Sequence, residues 1–117
     1  MIKVIVDTNG LMMPFQFGIN LDYELQRLLG KYEIIVPSCV IEELKKINRW
    51  EAKAALQLAE KFKKVDSEKR GDEGIIEIAE KTKGYVLTND KALRRKLRAR
   101  GIKTIYLRAL RYLEMDG

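Results

Sequence analysis

Asp7 and Asp90 each stand at the end of an apolar run. The first run is Ile2-Lys3-Val4-Ile5-Val6, followed by Asp7-Thr8-Asn9; the second is Tyr85-Val86-Leu87, followed by Thr88-Asn89-Asp90. Near-continuous apolar runs of this length read as strands buried on both faces of a parallel sheet. The carboxyl ends of such strands are where open α/β sheets bind ligands. If the two strands lie side by side, Asp7 and Asp90 meet at one edge of the sheet. Two further acids come from other βα segments: Glu43, in Val40-Ile41-Glu42-Glu43-Leu44, and Asp72, ahead of Ile75 and Ile76. Gathered at one edge, four carboxylates repel and raise one another's pKa, so something must neutralise them.

The sequence narrows what that can be. There is no histidine, and Cys39 is the one cysteine. Histidine bases, Ser-His-Asp and Cys-His catalysis, thiolate metal sites and internal disulfides are therefore excluded. Oxygen-only ligation suits Mg²⁺ or Mn²⁺. Thr8, Asn9, Thr88 and Asn89 carry the hydroxyl and amide groups that fix carboxylates in place. Taken singly, each acid has a plainer explanation. An Asp after a strand is a turn former, Asp72 a helix cap, and Glu42 or Glu43 a solvated charge. The doubled strand-then-Asp pattern tips the balance toward a joint site.

The elements that must position these residues follow from periodicity. Strands are expected at 2–6, 33–36, 85–88 and 102–107, with a short edge strand at 64–66. Leu21, Leu25, Leu28 and Leu29 recur at helical spacing and Gly30 ends that helix. A second helix runs from an N-capping Ser38 to about Ile47, and a third carries Ala52, Ala55, Leu56, Ala59 and Phe62. Asp72 heads a helix that ends at Gly84, and a basic helix spans about Asp90 to Arg100. The stretch holding Pro14, Phe15, Phe17 and Gly18 reads as a loop, and 108–114 as a terminal helical turn. Alternating strands and helices predict a single domain over 1–117, an α/β fold in three α/β/α layers around a central parallel sheet of four or five strands.

At 117 residues and 46% hydrophobic, the chain is large enough for one packed core. No apolar run approaches the ~18 residues a membrane helix needs. A strand that opens at residue 2 is not a leader sequence, so the expected setting is the cytoplasm. Net charge is +6, unevenly spread. Residues 91–111 hold nine Lys and Arg and no acid, while the other 96 residues carry 14 basic and 17 acidic groups. A cationic block directly behind Asp90 suggests a polyanion held beside the acidic edge.

The ordered set VDTN, VIEEL, GDEGIIEIA and VLTND resembles the PIN domain, a family of metal-dependent ribonucleases. The resemblance runs from Ile2 to about Leu107. It implies a parallel sheet flanked by helices and an acidic pocket for Mg²⁺ or Mn²⁺. Asp7, Glu43, Asp72 and Asp90 match the family's four acids, with Glu43 preferred over Glu42 because the family's Glu directly precedes a Leu. Thr8, Asn9, Thr88 and Asn89 match the polar residues beside them. The implied substrate is RNA, its phosphates held by the basic helix through Lys91, Arg94, Arg95 and Arg98. Arg94 and Arg95 are favoured there, since Leu93 and Leu97 must face inward. Small stand-alone members include VapC-type toxins, which implies an antitoxin partner and a homodimer. Other readings are an rRNA-processing or ribosome-assembly nuclease, a degenerate PIN domain that only binds RNA or protein, and a receiver-like phosphate-binding module. The receiver reading wants an acidic pair after the first strand, where this chain has Asp-Thr-Asn.

Overall fold

A computed structural model describes residues 1–116. In chain order the elements are β1 (Ile2–Val6), α1 (Thr8–Phe17), α2 (Leu21–Leu29), β2 (Tyr32–Pro37), α3 (Ser38–Lys46), α4 (Trp50–Ala59), β3 (Lys63–Val65), α5 (Gly71–Thr82), β4 (Tyr85–Leu87), α6 (Lys91–Ala99), β5 (Thr104–Arg108) and β6 (Tyr112–Asp116). The strands form one sheet in the order β3-β2-β1-β4-β5-β6. All pairings are parallel except β5 with β6. The predicted α/β fold is the one found, with six strands in place of four or five.

β1 sits at the centre because it can be buried from both faces. Val4, Ile5 and Val6 are fully buried, as are Val86 and Leu87 of β4 beside them. The chain runs outward from β1 through β2 to β3, then returns to lay β4 on its other side. This reversal makes the carboxyl ends of β1 and β4 a topological switch point, where the flanking helices part and leave a crevice. Val6 pairs with Leu87, so Asp7 and Thr88 leave the sheet as neighbours.

Two stretches differ from expectation. Residues 8–17 are a helix, not a loop. Asp7 caps it, Leu11, Met12 and Met13 are buried beneath it, and α4 packs along it. Pro14 lies inside this helix, where its missing N–H and its ring ordinarily disfavour a helix. Burial of the Leu-Met-Met face outweighs that cost. Gly10 is required for another reason. A Cβ there would meet the Leu87 carbonyl oxygen at 2.8 Å and Asp7 Oδ1 at 2.9 Å.

The second is the C-terminal stretch, which forms a hairpin where a helical turn was expected. Ala109 and Leu110, both left-handed, reverse the chain after β5. β6 then returns antiparallel, Leu107 facing Leu113. The outer edge of β6 is engaged as well. The Leu113 amide donates to the buried Glu24 at 2.8 Å, and its carbonyl accepts from Arg27 at 2.6 Å. Glu24 and Arg27, an ion pair at 2.9 Å on α2, thus supply the acceptor and donor a neighbouring strand would supply.

Candidate active site

Asp7 is the innermost of the four acids. It is 8% exposed and serves as the N-cap of α1. Its Oδ1 accepts the Gly10 amide at 2.6 Å and its Oδ2 accepts the Thr88 hydroxyl. Thr88 is fully buried, and its oxygen in turn accepts the Asp90 amide at 3.1 Å. One hydroxyl therefore ties the ends of β1 and β4 together. Burial pushes the Asp7 carboxyl up to about 6. The Thr88 and Gly10 bonds draw it back, and repulsion from Asp90 and Glu43 raises it further.

Asp90 opens α6 as its N-cap, its Oδ1 accepting the amides of Ala92 at 2.9 Å and Leu93 at 3.1 Å. Both bonds use one oxygen, so Oδ2 lies outside the cap. Asp72 is not the cap of its helix. Arg70 holds that position, and Asp72 sits in the first turn of α5, where the helix dipole favours a carboxylate. Its Oδ2 lies 3.3 Å from Lys96 Nζ. Glu43, on α3, is exposed.

The predicted cap of α3 also differs. Pro37 is the N-cap residue, and Ser38 is already helical. The Ser38 hydroxyl accepts the Ser67 amide at 2.9 Å, and the Ser67 hydroxyl accepts the Cys39 amide at 3.2 Å. A residue 28 positions away thus serves the free amide of α3. Glu77 anchors the same loop by accepting from Glu68 at 3.0 Å and Lys69 at 2.9 Å. Together these bonds fix the approach to Asp72. Gly74 permits the closeness, because a Cβ there would sit 2.7 Å from Cys39 Sγ.

All four acids line one pocket of about 90 Å³, with Thr8, Asn9, Cys39, Val40, Gly71, Ile75 and Leu93. The expectation that these four segments meet at one edge of the sheet matches their placement. Two details depart from it. Among the described residues, no three acidic or cysteine side chains converge tightly enough to share an ion as they are placed. Asp7, Asp90 and Asp72 are each turned to protein partners. The donor set nevertheless fits a hard cation: it is oxygen-rich, holds a buried carboxylate, and carries one nearby positive charge against four negative ones. Asn89 is the other departure. Its Oδ1 accepts the Leu107 amide at 2.7 Å, which fastens the end of β4 to β5, and of the two residues only Thr88 reaches the Asp7 carboxylate.

The basic helix is likewise rearranged by the fold. Arg94 lies 3.2 Å from Asp116 and 3.8 Å over the Tyr106 ring, and Arg98 also pairs with Asp116. Their guanidinium groups therefore hold α6 to the β5–β6 hairpin. Arg100 is held by Glu80 and Arg108 by Glu114. Lys91 and Arg95, exposed and one turn apart on α6, have no ion pair among the described residues.

Known proteins are similar to this chain in sequence and in fold. A family model described as a PIN like domain matches residues 4–110. The chain is 34% identical to Ribonuclease VapC4 of Methanocaldococcus jannaschii, across 100% of this chain and 98% of that protein. It is 36% identical to Ribonuclease VapC9 of Archaeoglobus fulgidus, across 89% of this chain and 82% of that protein. Among solved structures, the PIN domain endonuclease Utp24 superposes with a TM-score of 0.84 at 28% identity, covering 97% of this chain and 90% of that one. A domain of a functionally unknown protein from Methanocaldococcus jannaschii matches in fold, with a TM-score of 0.67 at 22% identity over 93% of each chain. On its sequence match and its architecture alike, the chain belongs to the PIN-like domain family.

Proposed function

We propose that this protein is a Mg²⁺- or Mn²⁺-dependent endoribonuclease, hydrolysing RNA phosphodiester bonds at the edge where β1 and β4 end. The observation that carries the reading is Asp7: a buried carboxylate at the sheet's switch point, held from two sides and facing a pocket lined by three more acids. The names of its relatives, ribonucleases in both cases, support the substrate class.

Asp7 and Asp90, with Glu43 or Asp72, would hold the cation. A bound divalent ion supplies an acidified water and offsets negative charge gathering on the phosphate. The remaining carboxylate orients the attacking water. Thr88 fixes the Asp7 carboxylate at the pocket's edge and, through the Asp90 amide, sets the spacing between the two strand ends. Lys91 and Arg95 take the phosphates flanking the cut, because their charges are not spent inside the fold. Arg94 and Arg98 act one step back by fixing α6.

In the cell the reading is that of a VapC-type toxin, bound by an antitoxin protein and acting as a homodimer. Tyr23 and Trp50, each 62% exposed, are apolar surface available for such contacts. The test is RNA cleavage by purified protein with Mn²⁺, with EDTA, and with Asp7→Asn. Loss of cleavage on chelation and in the variant is expected. An Asp7→Asn protein that cuts at the wild-type rate refutes the mechanism. Growth arrest on expression, relieved by a co-expressed partner, separates a toxin from an rRNA-processing nuclease.

A further inference from the structure

We infer that Lys96 is the pocket's own counter-ion, a positioning residue whose ammonium holds Asp72 until a divalent cation displaces it. The inference rests on the metal-dependent reading above, taken with Asp72 as the third ligand, and adds a competitor inside the chain. Among the described residues, Lys96 is the one cation in an ion pair with any of the four acids.

Its position is set by α6. Asp90 fixes the start of that helix, and Leu93 and Leu97 are buried beneath it. Leu93 itself lines the pocket. Lys96 follows Leu93 by three residues, so it lies on the neighbouring stripe one turn along. From there it reaches the first turn of α5, 3.3 Å from Asp72 Oδ2.

The strength of the pair matters. The two side chains are 51% and 38% exposed, and ion pairs so accessible to water are weak. A divalent ion at the same carboxylate outcompetes it. The contact is therefore a latch, and its effect has a definite sign. While the pair is made, one of the four negative charges is already offset and the metal-free pocket repels itself less. An incoming cation meets a positive charge and must first free the carboxylate. Lys96 thus weakens divalent binding and steadies the metal-free state.

The test is calorimetric titration of the full chain with MnCl₂, for wild type, Lys96→Met, Lys96→Arg and Asp7→Asn, with metal-free melting curves to confirm folding. Asp7→Asn is expected to abolish the binding heat. Lys96→Met is expected to tighten the Mn²⁺ Kd by about threefold to tenfold, the range for one screened charge near the site. Lys96→Arg, which keeps the charge, is expected to stay near wild type. If Asp7→Asn abolishes binding but Lys96→Met leaves the Kd unchanged or weaker, the counter-ion role is overturned and the metal site stands. The same holds if arginine tightens binding as methionine does. If Asp7→Asn binds Mn²⁺ like wild type, the metal reading falls and the role of Lys96 falls with it.

Discussion

The two ends of the sheet make an instructive contrast. At the amino ends of the strands lies a cleft of about 780 Å³, lined by Asp22, Lys31, Tyr32, Glu33, Lys61, Phe62 and Lys63 among others. At the carboxyl ends lies a pocket of about 90 Å³. The larger space is the chemically quieter one. Its acids are satisfied locally: Glu33 lies 3.5 Å from Lys3, and Asp22 accepts from the Tyr32 hydroxyl and the Gln26 amide. In the small pocket a carboxylate is buried beside other acids, and its pKa rises to about 6. A buried carboxylate with its pKa displaced by burial and neighbouring acids is what singles out the carboxyl end as the candidate site, and cavity size does not.

Exchanging the buried charge should sharpen that contrast most. Asp7→Asn is expected to lower Mn²⁺-dependent cleavage by at least about a hundredfold, on the scale of losing one preorganised electrostatic contact. Folding stability should move the other way. The folded carboxyl titrates near 6 and the unfolded one near 3.8, so the folded state binds more protons between those values. The contribution of Asp7 is then fully present below about pH 4 and lost as pH rises through 6, a change on the order of 2–3 kcal/mol. Without metal, wild type should weaken relative to Asp7→Asn between pH 4 and 7. Chemical denaturation at several pH values measures this, and parallel curves would contradict it. Saturating Mn²⁺ should restore wild type alone.

Removing the hydroxyl that joins the two strand ends comes next. Thr88→Val leaves a buried carboxylate oxygen and the Asp90 amide without their partner. It should cost about 1–3 kcal/mol and push Asp7 higher still, visible as an upward shift in the acid limb of the cleavage profile. Smaller again is the effect of Lys91→Ala with Arg95→Ala. Loss of two phosphate contacts should flatten the slope of log K against log salt by about 1.4 for single-stranded RNA, at unchanged stability. Arg94→Ala should instead lower stability, because Tyr106 loses its stacked cation and Asp116 keeps Arg98 as its one guanidinium partner. At the amino end, Lys63→Ala should change cleavage by less than about twofold, since surface changes away from the site are near neutral. A larger loss there would dissolve the contrast.

How far the sequence could be read follows from where the information lay. β1, β4 and the acids behind them were legible because burial on both faces leaves an apolar run, and the chemistry follows it directly. α1 was hidden by Gly10 and Pro14, both poor helix formers. Gly10 is there because Leu87 and Asp7 crowd it, a fact of the tertiary fold. The hairpin was hidden because Ala109-Leu110 carries none of the Asn-Gly or Asp-Gly signal that usually marks a left-handed turn. That omission had a consequence for the site. Asp116 lies on β6, and only with that strand in place do Arg94 and Arg98 cease to look available for phosphate. Likewise, Asn89 resembled a partner for the carboxylates until β5 was placed beside it.

The grip of Glu24 and Arg27 on Leu113 bears on how copies of this protein meet. An open strand at the rim of a sheet is a template on which further strands can assemble, up to fibrils. Here the rim strand has the amide and carbonyl of Leu113 already taken by a helix, and the opposite rim is three residues long with Lys63 and Lys64 exposed. Neither margin invites strand-to-strand growth. Strand pairing across either rim is thereby disfavoured as a way for two copies to join.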